Sequence, residues 1–142
     1  MFTRIRKQES GFTIVELLIV IVVIGILAAL VLNTFQGVQA RARDTERKTD
    51  VNALHTQYEV YYNDNGYYPS AADAVAVANF QGLDAQALVD PNGITMGVAG
   101  SAYAYVPLPA ACANTAGNEC TSYTLTATME EEADYAKTSL NQ

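Results

Sequence analysis

Hydrophobic residues are concentrated in one continuous block near the start of the chain. Residues 12–32 comprise sixteen Phe, Leu, Ile or Val residues, one charged residue, Glu16, and no proline. A helix of this length extends for roughly 31 Å, which is enough to cross the hydrocarbon core of a bilayer. These sixteen side chains favour insertion by roughly 5–10 kcal/mol, against about 3 kcal/mol for one acidic side chain. The pattern predicts a membrane-spanning helix over residues 12–32.

Beyond residue 32 the apolar residues are no longer continuous but recur at the spacing of a helix, which predicts that the same helix continues to about Tyr62. Residues 37–50 are polar with charges of both signs, so we expect them to form a solvated or subunit-contacting stretch with local pairs such as Arg43 with Glu46. An apolar stripe follows, consisting of Val51, Leu54, Tyr58 and Tyr61 or Tyr62. Asn65-Gly66 predicts the end of the helix.

Strand signals appear only in the last third of the chain. Tyr123, Leu125, Ala127 and Met129 alternate with Ser and Thr, which is typical of a strand with one buried face. We expect three strands of an antiparallel meander, at Ser101–Val106, Thr121–Glu130 and Tyr135–Ser139. Earlier in the chain, Ser70 and Asp73 have the spacing of a capping box, which predicts a short helix over Ala71–Phe80, and Asp90-Pro91-Asn92-Gly93 predicts a turn.

These elements predict an α+β fold in which a long helix packs on a small antiparallel sheet. The first half of the helix is apolar on every side and the second half is amphipathic. Residues 33–64 form a stem, and residues 65–142 form a head that is too small for a large core of its own. We therefore expect the apolar stripe of the stem to dock on the sheet.

Charge is distributed unevenly along the chain. The formal net charge is −7, but seven of the eight basic residues lie within the first 48 positions. Residues 49–142 carry eleven acidic residues against Lys137 alone, a net charge of about −10, so we predict no nucleic-acid site there. The basic residues Arg4, Arg6 and Lys7 place the N-terminus in the cytoplasm and the acidic head outside.

The residue types that carry chemistry are sparse. His55 is the single histidine, and the sequence shows no nucleophile elbow, phosphate loop or zinc spacing, so we expect no enzymatic activity. Cys112 and Cys120 flank a polar loop, and their close spacing in an exterior domain favours a disulfide over a metal pair or free thiols. The acidic group Glu130, Glu131, Glu132 and Asp134 favours a solvated turn, with a calcium site as the less favoured interpretation.

The segment Ser10-Gly11-Phe12-Thr13-Ile14-Val15-Glu16-Leu17-Leu18 resembles the N-terminus of type IV prepilins and type II secretion pseudopilins. The family pattern is a short basic leader that ends in Gly, then an aromatic or apolar residue, then Glu four residues later within an apolar helix. The helix-exit segment Asn63–Ser70 is also similar to that of the family. The chain departs from the pattern at Asn33, where members often carry a proline.

This resemblance implies how the chain is processed and assembled. A prepilin peptidase would remove the leader, residues 1–11, by cutting between Gly11 and Phe12, and the new amino group of Phe12 would be methylated. Glu16 would then pair with the Phe12 amine of a neighbouring subunit, since an unpaired charge in a low-dielectric bundle is costly. The resemblance also implies calcium in a late acidic loop of major pseudopilins.

The leading hypothesis is therefore a structural pilin of a type IV pilus that spans the cytoplasmic membrane once before it joins a surface filament. Its partners would be copies of itself, the prepilin peptidase, the pilus assembly platform and other pilins. Adhesion, motility and DNA uptake all match such a filament. One alternative is a pseudopilin of a type II secretion or competence system, and a second is a membrane-tethered binding domain that never polymerises.

Overall fold

The computed structural model describes residues 11–141 of the chain, so residues 1–10 of the predicted leader lie outside it. The longest element is helix α1, Ile14–Asn65. Three short 3-10 turns follow it, and then three strands complete the fold: β1 Tyr103–Leu108, β2 Ser122–Ala127 and β3 Tyr135–Thr138. The predicted α+β arrangement of one long helix and a small antiparallel sheet is confirmed.

The chain divides into two compact units, of which the first ends at Val38 and the second begins at Gln39. The described part of the first unit contains the N-terminal portion of α1, in which residues 14–32 are all exposed. The second unit contains the rest of α1, the 3-10 turns and the sheet, and it holds all of the residues that the structure describes as buried.

Helix α1 extends three residues beyond the predicted end at Tyr62. Its last turn is closed by Gly66, which has φ of +81° and donates its amide to the carbonyl of Tyr62 at 2.7 Å. The side chain of Asn65 caps the carbonyl of Tyr61 at 2.9 Å. A glycine in the left-handed region is the usual way to satisfy the free carbonyl groups at a helix end, so the stop signal at Asn65-Gly66 is confirmed.

The sheet has the strand order β1-β2-β3, and both pairs are antiparallel. Strand β1 lies two residues later than predicted and includes Pro107, which pairs with Tyr123 of the central strand. Proline lacks an amide hydrogen and is tolerated here because β1 is an edge strand. The predicted buried face of β2 is confirmed, since Tyr123, Leu125 and Ala127 are buried.

The core of the second unit lies between the apolar stripe of α1 and the buried face of the sheet. Val51, Leu54 and Tyr58 are fully buried, which confirms the docking role predicted for the stripe. The Tyr58 ring meets the rings of Tyr105 and Tyr123 edge-on, with centroids 4.9 and 5.4 Å apart. Its hydroxyl donates to the carbonyl of Ala74, so this large side chain is buried with its polar atom satisfied.

The helix predicted over Ala71–Phe80 is wrong, although its start signal is present. Ser70 and Asp73 make the predicted contact, with the Ser70 hydroxyl donating to the Asp73 carboxylate at 2.7 Å. The backbone then becomes extended at Ala76, which leaves two separate 3-10 turns. A regular helix would point Ala74 and Phe80 in different directions because they are six residues apart, whereas the extended residue allows both side chains to be buried.

The turn predicted at Asp90–Gly93 is confirmed, and its first side chain has a further role. One oxygen of the buried Asp90 carboxylate accepts the amides of Asn92 and Ile94, and the other accepts the amide of Ala102, each at 2.9 Å. Burial alone would raise the pKa of Asp90, but the three amide donors outweigh it and lower the pKa. Asp90 thus ties the turn to the start of the sheet.

Candidate functional site

The N-terminal site centres on Thr13, the residue immediately before helix α1. The amide and the hydroxyl of Thr13 both donate to Oε2 of Glu16, at 2.8 and 2.6 Å, and the Glu16 amide donates to the Thr13 hydroxyl at 3.3 Å. This arrangement is a capping box, which satisfies free amide groups at the start of a helix. Sequence reasoning missed the role of Thr13, although Thr and Glu three residues apart are the recognised signal for it.

The Glu16 carboxylate is therefore oriented by its own chain. Within the described residues, all of its hydrogen bonds come from Thr13 and go to Oε2, which leaves Oε1 available. Phe12 precedes the cap and is 81% exposed. The structure thus places an exposed aromatic residue and an exposed carboxylate at the same end of the helix, but it does not bring them into a hydrogen bond.

The surface beyond the cap is apolar on every side. Every residue from 12 to 32 is exposed, with exposed fractions that range from 84% for Ile14 to 48% for Val23 among the large side chains. By length and composition, α1 is the one described helix able to cross a membrane, and none of its apolar window is buried within the chain. Because exposed apolar surface on this scale is unfavourable in water, this helix requires lipid or other apolar helices around it.

Gly11 lies just before the cap in open surroundings. A Cβ atom built at this position would meet no heavy atom within 4 Å. Its φ does not fall in the range that disfavours other residues. Neither packing nor backbone strain within the described chain explains a glycine here.

Farther along α1, most of residues 37–50 are exposed or partly exposed, as predicted for a solvated stretch, but a charged cluster departs from that prediction. Asp44 and Arg47 are almost completely buried and pair at 2.9 Å. Arg43 was expected to pair with Glu46, but it forms a two-pronged contact with Glu130, in which its Nε lies 2.8 Å from Oε1. Nη2 of Arg47 reaches the same Oε1 at 2.8 Å.

The acidic loop after β2 is exposed, as expected for a solvated turn, but it also contacts α1. The amides of Glu130 and Glu131 donate to the two carboxylate oxygens of Asp44 at 2.9 Å each, and Lys48 pairs with Glu132. Arg43 and Arg47 lower the pKa of Glu130 to about 2. Burial would raise the pKa of Asp44, yet the two loop amides and Arg47 lower it.

A second polar cluster surrounds His55, the single histidine of the chain. The Tyr123 hydroxyl lies 2.6 Å from Nδ1 of His55 and donates to Glu59 at 3.1 Å. Glu59 also accepts from the Tyr68 hydroxyl at 2.9 Å. Partial burial lowers the pKa of His55, against the opposing effect of Glu59. The histidine is engaged in a structural network that joins α1 to the sheet.

The predicted disulfide is present. Cys112 and Cys120 are bonded, with Cα atoms 5.3 Å apart, and close the loop between β1 and β2. Cys120 is fully buried and pairs its backbone with Tyr68, just after the helix exit. The side chain of Asn114 within this loop donates to the carbonyl of Tyr68 at 3.0 Å. The disulfide loop is thereby fixed against the segment that leaves α1.

Part of the chain is similar in sequence to known proteins. Residues 6–32 match the family model of the prokaryotic N-terminal methylation motif. The type IV major pilin protein PilA of Myxococcus xanthus is 35% identical over 80 residues, which are 56% of this chain and 36% of the pilin. The type II secretion system core protein G of Pseudomonas aeruginosa is 42% identical over 65 residues, 46% of each chain. The fimbrial protein EcpC of Eikenella corrodens is 35% identical over 74 residues, 52% of this chain and 48% of that protein.

The matched stretches thus cover less than two thirds of each of these relatives. No solved structure gives a significant match. The chain is thus similar over part of its length to pilins and pseudopilins, and its methylation motif contains Gly11, Phe12 and Glu16.

Proposed function

We propose that this chain is a structural, non-enzymatic pilin subunit of a type IV pilus. Residues 12–32 hold it in the cytoplasmic membrane, with the N-terminus in the cytoplasm and the acidic head outside. The chain is then polymerised by the pilus assembly platform, with copies of itself and other pilins, into a surface filament. Adhesion, motility or DNA uptake would be the task of that filament. The named relatives are pilin, fimbrial and secretion-system proteins that match only part of this chain, and we extend their role to the whole chain.

One observation carries the proposal: residues 12–32 are apolar on all sides apart from Thr13 and Glu16, and all of them are exposed. A bilayer and a bundle of identical helices both remove such a surface from water, because both surround it with apolar groups. Transfer from one to the other therefore costs little hydrophobic free energy. A subunit that is stored in a membrane and later moved into a filament core needs this property.

Processing between Gly11 and Phe12 would complete the assembly site. Since nothing in the described chain explains the glycine, a requirement for it would come from a peptidase that accepts no side chain there. Cleavage would create a cationic amine at Phe12, which methylation keeps charged. That amine is disfavoured at the positive end of its own helix, whereas Oε1 of Glu16 on a neighbouring copy is available to bind it.

The decisive measurement is mass analysis of the N-terminus in membrane and filament fractions. Mature chains that begin with methylated Phe12 are expected, and Gly11→Val should leave the precursor uncut. Glu16→Val is expected to insert into membranes at least as well as the parent and to fail in assembly, while Val15→Leu, at the exposed neighbouring position, serves as a control that should assemble normally. Filaments of normal number and length from the Glu16→Val chain would show that the pairing role is wrong.

A pseudopilin of a type II secretion or competence system is the second candidate. It is favoured by the similarity to core protein G and by the Asn-Gly-Tyr-Tyr-Pro segment at the end of α1, in which Tyr68 and Pro69 are buried. Immunolabelled imaging separates the two candidates, since a pilin yields long surface filaments and a pseudopilin yields short structures within the envelope. A membrane-tethered binding domain would instead retain residues 1–11 and show no dependence on Gly11.

A further inference from the structure

The loop between β2 and β3 concentrates negative charge, with four carboxylates among five residues: Glu130, Glu131, Glu132 and Asp134. Like charges at this density repel one another unless a cation lies among them. The resemblance to major pseudopilins implies that calcium provides this cation. The contacts of the loop test whether its residues fit a divalent ion.

Two positively charged side chains of α1 already occupy the carboxylate of Glu130. Arg43 binds both of its oxygens, and Nη2 of Arg47 lies 2.8 Å from Oε1. The guanidinium group presents several donors in a plane, and this geometry matches a carboxylate better than a point charge does. A third cation, Lys48, pairs with Glu132. Two of the four carboxylates in the loop are thus neutralised from within the chain.

The backbone of the loop also directs amide hydrogens, which a cation repels, towards the centre of the cluster. A calcium site directs carbonyl and carboxylate oxygens at the ion. Here the amides of Glu130 and Glu131 point instead at the buried carboxylate of Asp44, and Oδ1 of Asp134 is used by the amide of Met129 at 3.2 Å. Among residues 11–141, no group of three or more His, Cys, Asp or Glu residues is arranged to hold a metal ion.

We propose that the guanidinium groups of Arg43 and Arg47 replace a divalent cation in this loop, so that the head folds and remains stable without calcium. Asp44 fixes the loop backbone, Arg47 bridges Asp44 and Glu130, and Arg43 closes the cluster from the outside. The side chains of Arg47 and Asp44 are 3% and 2% exposed, so this pair is built into the fold, whereas Arg43 and Glu130 are each about a third exposed. The loop is thereby attached to α1 by residues more than eighty positions away.

Thermal unfolding of the full-length chain in detergent, with calcium or with EDTA, tests the proposal without any need for filaments. The parent chain should have the same Tm under both conditions. Arg47→Gln should lower the Tm by roughly 10 °C or more, because it leaves two carboxylates without their buried partner. Arg41→Gln is the matched control, since Arg41 is an exposed arginine on the same helix, and its Tm should equal that of the parent.

Isothermal titration of the parent chain with calcium provides a second measurement, and no binding to the loop is expected. If Arg47→Gln does not fold, Arg43→Gln removes only the more exposed guanidinium group and retains the Asp44–Arg47 pair, so a smaller loss of Tm is expected. A Tm of the parent chain that rises with calcium and loses this rise in Glu130→Gln would overturn the proposal. An Arg43→Gln chain as stable as Arg41→Gln would also overturn it.

Discussion

Replacement of Asp44 by alanine is the most informative single perturbation of the head. The side chain is 1% exposed, and its two oxygens accept from Arg47 and from the amides of Glu130 and Glu131. Asp44→Ala removes all three hydrogen bonds at once. It leaves the buried Arg47 with Glu130 as its sole anionic contact among the described residues.

The size of the effect follows from these contacts. Loss of one member of a buried ion pair costs about 3–5 kcal/mol. The two loop amides can be hydrated after the change, because Glu130 and Glu131 are exposed, so they add little. We therefore expect a loss of about 3–4 kcal/mol in the free energy of unfolding, a large share of the 5–15 kcal/mol typical of a domain. In a unit of this size such a loss lowers the Tm by roughly 15–20 °C.

Thermal unfolding of the full-length chain in detergent, followed by near-ultraviolet circular dichroism of its nine tyrosines, measures this change. Glu46→Ala is the control, because Glu46 is an exposed acidic residue on the same helix. A double-mutant cycle with Arg47→Met isolates the coupling between the two buried charges. A loss below about 1 kcal/mol for Asp44→Ala, or zero coupling, would refute the assigned role of the cluster.

Three further predictions follow from other contacts. The lowered pKa values of Asp90 and Glu130 stabilise the fold above about pH 4.5, so stability should decrease as the pH falls from 4.5 towards 2, and a flat pH profile would contradict this. Cys112→Ser should lower the free energy of unfolding by roughly 2–3 kcal/mol, to the same value as the chemically reduced parent chain. Thr13→Val should cost about 1 kcal/mol of cap stability and increase amide exchange at the start of α1, while Thr13→Ser should leave both unchanged.

Local sequence patterns were sufficient to predict the long helix and the strands. The apolar block, the stripe that contains Val51 and Leu54, and the alternation around Tyr123 each specify an element through contacts within a few residues or with one apolar face. The helix over Ala71–Phe80 was predicted wrongly because its cap signal is real but the burial of Ala74 and Phe80 requires a break between them. The cap signal depends only on neighbouring residues, whereas the burial of these two side chains depends on contacts with the rest of the core.

The sequence by itself determined the apolar helix, the methylation motif, the three strands and the disulfide pair, because each depends on residue types at short and regular spacing. Only the tertiary structure decided which charges neutralise one another. Arg43 and Arg47 meet Glu130 across 87 and 83 residues, and Tyr123 meets Glu59 across 64. These partners depend on how α1 is seated against the sheet and the β2–β3 loop. Burial then makes the pairing obligatory, since a buried charge without a partner is strongly destabilising.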